Sequence, residues 1–397
     1  MASKEGVPIS TSPVRAPRRT RPRDRRDQIR AAAARLFYER GYEQVSIADV
    51  AASVDVGPSA LYRHFSGKAD LLFEAIESTV GAFAGMVADL PSRDLDGIAR
   101  AAARTAIAHR HLGVLWQREA RNLPPEQLAL LRRHLREAGL TLAGTLREMR
   151  PDLDADDAEF LAACVVNAMG SISFHRLALP DAEFEDLLTD LARRVVSFDF
   201  ADGAVPQMPV RTLPPATTRR EEIADAAATL FARQGYDAVG IDEIGAAVGI
   251  AGPSLYNHFN SKQDVLFASL GRGHGLLQDA LSDALGTDAA PDEALRRVVA
   301  SYVDLAHDHS DLITNLIAES RHLGEQSGAL VRRAQLDYIT DWVALLSTLR
   351  PEEDLTTSRL RVQCAQMLAN SVSRTLYLRG RPGFRRDLQE ICWLLVA

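Results

Sequence analysis

The chain contains an internal duplication. Residues 26–73 align with residues 220–267 without a gap, and 21 of the 48 paired positions are identical. Downstream the match resumes at a shift of 200 instead of 194, where for example Cys164 recurs as Cys364, so the second copy carries a net insertion of six residues. Because the similarity extends along each copy, we interpret the 397 residues as two fused copies of one whole protein.

Both copies carry a helical pattern. Apolar residues recur three and four positions apart through most of the chain, which is the period of an amphipathic helix, and prolines interrupt the pattern. No useful stretch alternates apolar and polar residues as a strand would. The sequence predicts an all-α protein whose copies each contain about nine helices, three short ones followed by longer helices of a bundle.

Two segments lie outside this pattern. Residues 201–218 are rich in proline and small residues, and predict a linker between the copies. Residues 1–24 are basic: the first 30 residues have nine Lys/Arg and three Asp/Glu, which leaves −13 on the rest of a chain whose net charge is −7. We interpret this segment as a disordered arm attracted to phosphate, with a solvated tail as the alternative.

The sequence argues against several classes of protein. It has no apolar run long enough for a membrane span and no secretory leader, so we expect a cytoplasmic, nucleoid-associated protein without a membrane partner. The cysteines form no CxxC pair, and two histidines in an HxH spacing on a helix splay apart, so we expect no metal. Without a phosphate loop, nucleophile elbow or HExxH motif, we expect neither an enzyme nor a cofactor.

The start of each copy has the signals of three short helices. In the first copy Gly41 ends the first helix, Ser46 with Asp49 resembles a capping box that opens the second, and Pro58 stands near the start of the third. In the second copy Gly240 replaces the capping serine, which predicts a weaker cap. Three short helices with a tight turn before the last describe a helix-turn-helix.

These residues resemble the signature of the TetR family of regulators. The matching segments are Ser46-Ile47-Ala48-Asp49-Val50-Ala51, Leu61-Tyr62-Arg63-His64-Phe65 and Lys68-Ala69-Asp70-Leu71, with Ile241-Asp242-Glu243-Ile244-Gly245, Leu255-Tyr256-Asn257-His258-Phe259 and Lys262-Gln263-Asp264-Val265 in the second copy. The resemblance implies two TetR-like units, each with a helix-turn-helix domain and a helical body for ligand binding and dimerisation. The DNA-binding domains would span 25–72 and 219–266, and the bodies 73–200 and 267–397.

The resemblance also implies roles for individual residues toward double-stranded operator DNA. The leading turn of the recognition helix reaches base edges, and there lie Gly57, Pro58, Ser59 and Ala60 in the first copy and Ala251, Gly252, Pro253 and Ser254 in the second. Phosphate contacts are implied for Tyr62, His64 and Lys68 and for Tyr256, His258 and Lys262. Ser46, Gly240, Arg63 and Asn257 complete the predicted contact set.

Some features of this contact set bear on how DNA is read. The family commonly has a small hydroxyl residue where Gly57 and Ala251 stand, so capping and base contact from these positions are in doubt. Packing inside the domain is the alternative role for Tyr62 and His64. The difference between Arg63 and Asn257 predicts unlike half-sites.

In the family, the last two long helices of each body form a four-helix interface. The segments 154–178 with 181–198, and 355–379 with 384–396, fit that place. Because both copies share one chain, we expect an internal pseudo-dimer that acts alone on two half-sites. Pairing of two chains as a homodimer stays open as the alternative.

Large residues on the mid-body helices are the candidates for a ligand pocket, although such residues more often belong to the core than to a ligand wall. They are Phe83, Met86, Trp116, Met149 and Phe174 in the first copy and Tyr302, Asn315, Tyr338, Trp342 and Met367 in the second. Their apolar character favours a lipid-like effector such as a fatty acyl or sterol derivative, and similar tandem repressors regulate lipid use in actinobacteria.

Two further observations leave questions for the structure. Glu119 and Arg121 recur as Glu319 and Arg321, and residues two apart do not share a helix face, so at least one of each pair should point inward to an ion-pair partner.

The rival to a two-module repressor is a ligand-sensing or interaction protein in which only one helix-turn-helix binds DNA.

Overall fold

The computed structural model describes residues 22–200, 211–286 and 289–397. We call residues 22–200 unit 1. Its α-helices are α1 (Pro22–Arg40), α2 (Ile47–Ser53), α3 (Pro58–Leu61), α4 (Lys68–Met86), α5 (Leu95–Ala108), α6 (Leu112–Val114), α7 (Pro125–Met149), α8 (Ala155–Gly170) and α9 (Asp181–Val196). A π-helical turn covers Leu115–Glu119, and 3-10 turns cover Ala120–Asn122 and Ser171–Phe174.

Unit 2, residues 211–397, repeats this order. Its α-helices are α10 (Arg219–Gln234), α11 (Ile241–Ala247), α12 (Lys262–Leu285), α13 (Pro291–Asp308), α14 (Ser310–Ala318), α15 (Glu325–Leu349), α16 (Leu355–Ser373), α17 (Leu376–Arg379) and α18 (Phe384–Val396), with 3-10 turns at Gly252–Asn257 and Ser320–His322. The described ranges contain no strand, so the predicted all-α fold of two repeated units is confirmed.

The predicted boundaries compare with the helices as follows. The basic arm, apart from the start of α1, and residues 201–210 of the linker lie outside the described residues. The described part of the linker has no helix before α10 and lies on unit 2, where Arg211 contacts Asp283 and Arg272 donates to the carbonyl oxygen of Pro214 at 2.7 Å. The predicted domain limits at residues 72 and 266 fall inside α4 and α12, so each DNA-binding domain shares a continuous helix with its body.

The two units pack against each other through α8, α9, α16 and α18. Phe160 of α8 lies at the centre with its ring 5.8 Å from that of Phe384. Arg381 of unit 2 forms an ion pair with Asp157 of unit 1, and its guanidinium lies 4.8 Å from the Phe160 ring centroid. Arg194 donates to the terminal carbonyl oxygen of Ala397 at 2.8 Å. The interface therefore combines an apolar centre with ion pairs between the units.

Two of the helices predicted for this interface are shorter than expected. The segment 154–178 is helical only to Phe174, because Arg110 donates to the carbonyl oxygens of Ile172, His175 and Leu177 that a continuing helix would use. The segment 355–379 breaks after Ser373, where the Thr375 hydroxyl donates to the carbonyl oxygen of Ser371. Side chains that bind backbone carbonyl groups thus end both helices.

Within the ranges that the structure describes, no helix is both long enough and apolar enough to cross a membrane. The three cysteines are buried. Cys364 lies at the contact between the units, where its thiol donates to the carbonyl oxygen of Ala168 at 3.5 Å, and burial raises its pKa to about 12. All three cysteines therefore behave as small core residues.

The interface centre should contribute strongly to stability. Phe160→Ala removes a fully buried ring and should lower the free energy of unfolding by about 3–5 kcal/mol, measured by urea denaturation with circular dichroism. Leu330→Ala is the control, since 56% of Leu330 is exposed and its loss should cost less than about 0.5 kcal/mol. Equal urea midpoints for the two variants would contradict this packing.

Candidate nucleic-acid interface and an internal cavity

Each DNA-binding domain is anchored by the same buried residues. Leu61 and Phe65 of unit 1 are buried in the same core as Phe37. In unit 2, Leu255 and Phe259 are likewise buried in the core. The tyrosine that follows the leucine points outward: Tyr62 is 58% exposed and Tyr256 is 56% exposed. Packing inside the domain therefore does not explain these two large side chains. His64 is partly buried with its ring 6.4 Å from that of Phe65.

The capping box predicted for α2 is present. The Ser46 hydroxyl accepts a hydrogen bond from the Asp49 backbone at 3.1 Å, and the Asp49 carboxylate accepts from the Ser46 backbone at 2.8 Å. The hydrogen bonds from Ser46 hold the pKa of Asp49 below its usual value. In unit 2 Gly240 offers no side chain to cap α11, as expected from the sequence.

The recognition segments differ from the expected helices. That of unit 1 is a single α-turn, α3, and that of unit 2 is a 3-10 helix at Gly252–Asn257. A Cβ on Gly252 would lie 1.9 Å from the Asp242 carboxylate, so this segment packs too closely against α11 for any larger residue. Gly252 is buried, whereas the other residues of the predicted DNA-contact set are exposed or partly buried. Neither Gly57 nor Ala251 makes a side-chain cap.

Four of the other predicted contact residues share one face of unit 1. Ser46, Pro58, Tyr62 and Lys68 line an open depression on unit 1. The remaining predicted residues are exposed or partly buried near these segments: Gly57, Ser59, Ala60 and Arg63 in unit 1, and Gly240, Ala251, Pro253, Ser254, Tyr256, Asn257, His258 and Lys262 in unit 2. In both units these residues are therefore at least partly accessible to a ligand.

Both lysines stack on aromatic rings in the same way. The Lys68 ammonium lies 4.1 Å from the Tyr42 ring centroid, and that of Lys262 lies 4.2 Å from the Tyr236 ring centroid. Burial lowers the pKa of Lys262. A cation on a ring face is held in place while keeping its charge, which suits a fixed phosphate contact.

Sequence comparison missed an arginine that fixes each domain. Arg25 donates to the carbonyl oxygen of Val54 at 3.1 Å, and Arg219 donates to that of Val248 at the same distance. These arginines join the start of the first helix to the end of the second. They lie one position before the aligned block, and extending the comparison by one residue would have found them.

The two domains differ in charge. Residues 25–72 contain seven Lys/Arg and six Asp/Glu, for a net charge of +1, whereas residues 219–266 contain four and seven, for a net charge of −3. Part of this difference lies close to the recognition segments, where Asn257 replaces Arg63 and Asp242 replaces Ala48. Attraction to phosphate is therefore stronger at unit 1.

The recurring glutamate and arginine residues form ion pairs between the units. Glu119 is buried and accepts from the Tyr42 backbone amide at 2.9 Å and from Arg321 of unit 2 at 2.5 Å. In the reverse direction Glu319 accepts from the Tyr236 backbone amide at 3.1 Å and from both terminal nitrogens of Arg121. We call these the crossed pairs, Glu119–Arg321 and Glu319–Arg121. The inward-pointing partners expected from the sequence are thus residues of the opposite unit.

Each crossed pair also reaches the glycine that ends the first helix of a DNA-binding domain. Gly41 and Gly235 have φ of 81° and 87°, a conformation that favours glycine. A Cβ on Gly41 would lie 2.9 Å from Arg321, and one on Gly235 would lie 2.7 Å from Arg121. The arginine of each body therefore packs directly against the DNA-binding domain of the other unit.

An internal cavity of about 200 Å³ lies where the body of unit 2 meets unit 1. Four of the ten predicted ligand residues line it, namely Phe174, Tyr302, Tyr338 and Met367. Unit 1 contributes the π-helical turn and the 3-10 turn that follows α8, and unit 2 contributes α12 to α16. The cavity thus has walls from both units.

The other six predicted ligand residues do not line this cavity. Phe83 and Met86 are buried in the core, and Trp116 and Met149 are partly buried against it. Asn315 is buried and donates to the carbonyl oxygen of Ala228 at 2.7 Å. Trp342 lies behind the wall, with its ring edge-on to Tyr302 at 5.5 Å.

Sequence analysis missed the polar residues of the cavity. Gln363, Gln366 and Asn370 lie on one face of α16, with Arg118 and His175 contributed by unit 1. The signal was a polar stripe at spacings of three and four within residues 362–370, whose other residues are apolar. Our selection of large residues overlooked this stripe because it sought size and not buried polarity.

Comparison with known proteins agrees with this architecture. The family model described as bacterial regulatory proteins, tetR family, matches residues 29–75 and 223–269. The transcriptional activator FasR of Mycolicibacterium smegmatis is 29% identical over 163 residues, which are 41% of this chain and 73% of that protein. The transcriptional repressor KstR2 of Rhodococcus jostii is 35% identical over 113 residues, covering 26% of this chain and 54% of that protein.

Among solved structures, a TetR-family regulator from Bordetella parapertussis has a TM-score of 0.42 and 21% identity, covering 46% of this chain and 95% of its own. The family match occurs twice, once on each helix-turn-helix. This chain is therefore a tandem member of the TetR family of bacterial regulatory proteins, and a DNA-binding transcriptional regulator.

Proposed function

We propose that this regulator is a repressor in which one chain acts as an internal pseudo-dimer on two non-identical half-sites and is released by a small, largely apolar effector. It would work on chromosomal DNA in the cytoplasm. The observation that carries the proposal is the crossed pairs: each body holds the DNA-binding domain of the other unit through a buried carboxylate. Such an arrangement fixes two reading modules at one separation.

The contact between the units supports pairing within the chain. α8 and α9 pack against α16 and α18, so the helices that the family uses for dimerisation already have a partner in the same polypeptide. Arg381 and Arg194 add polar contacts that depend on residues present in only one unit. A second chain would have to displace these contacts to pair copy by copy.

Differences between the two reading modules support unlike half-sites. Arg63 can make a bidentate contact with guanine, whereas Asn257 suits adenine. The two recognition segments also differ in backbone, since one is an α-turn and the other a 3-10 helix. The two modules should therefore prefer different base sequences.

The names of the matched relatives support repression, and the cavity supports release by an effector. The matched relatives include proteins named as repressors as well as an activator, and their names concern transcription, not catalysis. The apolar residues around the cavity would hold an effector beside the crossed pairs. Effector binding there would change the separation of the two domains.

A second candidate function is that only the first helix-turn-helix binds DNA, while the second serves sensing or interaction. The net charge of −3 on residues 219–266 favours this alternative, because phosphate attraction supplies much of the affinity for DNA. The experiments below separate the two.

The footprint on DNA is the first test. On a duplex selected from random sequences, we expect one chain per duplex and protection of two half-sites one helical turn or more apart, measured by size-exclusion light scattering and hydroxyl-radical footprinting. A single protected half-site would favour the second candidate. Two chains per duplex would contradict the internal pseudo-dimer.

The lysines provide a test of phosphate contact. Lys68→Ala should weaken binding similarly on all sequences and reduce the slope of log Kobs against log salt by about 0.9, the value for one lost phosphate contact. Lys262→Ala should do the same if unit 2 binds DNA. Arg132→Ala, an exposed change on α7, is the control and should leave the slope unchanged. An unchanged slope for Lys68→Ala would remove this role.

The crossed pairs provide a test of fixed separation. Glu119→Gln keeps the side-chain volume but removes the charge that pairs with Arg321. Affinity for the full operator should fall by about tenfold, while affinity for each isolated half-site should change less than about twofold, since only the avidity depends on separation. Fluorescence anisotropy measures both. Glu126→Gln, an exposed change on α7, is the matched control, and equal losses on full and half operators would contradict the proposal.

A further inference from the structure

The cavity between the units carries unsatisfied polar atoms. Buried polar side chains in folded proteins normally find a hydrogen-bond partner. Across the part of the chain that the structure describes, five residues of this cavity each have a buried side-chain atom without one, namely Arg118 Nε, His175 Nε2, Gln363 Oε1, Gln366 Nε2 and Asn370 Oδ1. Gln366 is 8% exposed and Asn370 is 4% exposed. Such a concentration around one cavity points to a ligand that supplies the missing partners.

Arg118 determines the charge of that ligand. Its guanidinium lies 5.4 Å from the Phe174 ring centroid, and in the described ranges it makes no ion pair. The adjacent Glu119 is already bound by the Tyr42 amide and Arg321. Burial lowers the pKa of Arg118, which reflects a cation removed from water. A buried guanidinium is stabilised by a carboxylate, to which it donates two parallel hydrogen bonds.

The remaining polar atoms suit a neutral or anionic head group. Burial lowers the pKa of His175 to about 4, so its imidazole is neutral near pH 7 and adds no second positive charge. Gln366 Nε2 is a donor, and Gln363 and Asn370 offer carbonyl oxygens that accept from a hydroxyl or amide group. Leu277, Ile313 and Leu316 also line the cavity and would contact an apolar body.

This polar lining occurs in one copy only. At the shift of 200, Gln363, Gln366 and Asn370 correspond to Ala163, Val166 and Gly170 of unit 1. Likewise Tyr302 and Tyr338 correspond to Ala102 and Ala138. Unit 1 instead contributes the cation, because Arg118 lies on the π-helical turn whose counterpart in unit 2 is α-helical and has Ala318 at the matching position.

We infer that this cavity is a binding site for one small organic acid per chain, whose carboxylate is held by Arg118 of unit 1 and whose apolar body lies among the helices of unit 2. The inference rests on the proposed function in that the acid would be the effector. A volume of about 200 Å³ is below the roughly 300–1,000 Å³ of most ligand pockets. It suits a short alkyl or aryl acid, whereas the long acyl or sterol ligands expected from the sequence need more room.

The site adjoins both crossed pairs. Arg118 directly precedes Glu119, and Ser320, which also lines the cavity, stands between Glu319 and Arg321. A carboxylate bound to Arg118 would add negative charge beside Arg321 and compete with Glu119 for it. One acid would thus act on the positions of both DNA-binding domains.

Calorimetric titration of the full chain with matched acids and amides tests the site. The probes are alkyl acids from butyrate to octanoate and aryl acids from benzoate to 4-phenylbutyrate, each compared with its primary amide. At least one acid should bind with one molecule per chain and at least tenfold more tightly than its amide. Arg118→Gln should abolish that preference, while Arg132→Gln, an exposed change on α7, should keep it.

The outcomes are decisive even if Arg118→Gln fails to fold, because the acid and amide comparison needs only the native chain. Failure of every acid to bind at 10 mM, equal affinity of acid and amide, or two molecules per chain would each overturn the inference. DNA is absent from this titration, so its result does not depend on the DNA-binding proposal. If an acid binds but leaves an operator complex intact, the site stands and the effector role fails.

Discussion

The arrangement of this molecule depends on two buried carboxylates, Glu119 and Glu319. Each accepts a backbone hydrogen bond from one DNA-binding domain and an ion pair from the body of the opposite unit. A carboxylate removed from water is stable only when charge and hydrogen bonds compensate it, and removal of one partner leaves the other charge uncompensated. The position of each reading module is therefore tied to the body of its neighbour, and the two modules cannot move independently without breaking these contacts.

Duplication within one chain allows the two copies to differ while this link is kept. The ring contacts of Lys68 and Lys262 recur in both units, as does the packing of arginine on Gly41 and Gly235. The recognition segments, the charges of the DNA-binding domains and the lining of the body differ. In a homodimer every substitution occurs in both subunits. In a fused pair, one unit can carry a cation while the other carries the polar side chains that line the same cavity.

Local features of the fold could be predicted from the sequence, and distant ones could not. The glycine at position 41 and the cap at Ser46 depend on neighbouring residues, so their patterns were sufficient. The partner of Glu119 lies 202 positions away, and nothing in the duplicated pattern indicated that the pairing would cross between units. The end of α8 was misplaced because Arg110, far along the chain, binds the carbonyl groups there. The cavity was only partly predicted because polar residues of α16 line it, whereas the sequence pattern was searched for large residues.

The distance between the two DNA-binding domains tests the link most directly. Spin labels at Gln44→Cys and Ala238→Cys, exposed positions that correspond in the two units, should react selectively because the native cysteines are buried. Pulsed electron paramagnetic resonance should give one narrow distance distribution for the native crossed pairs and a broad one when Glu119 and Glu319 are both changed to glutamine. Distributions of equal width would show that these carboxylates do not fix the distance between the two domains.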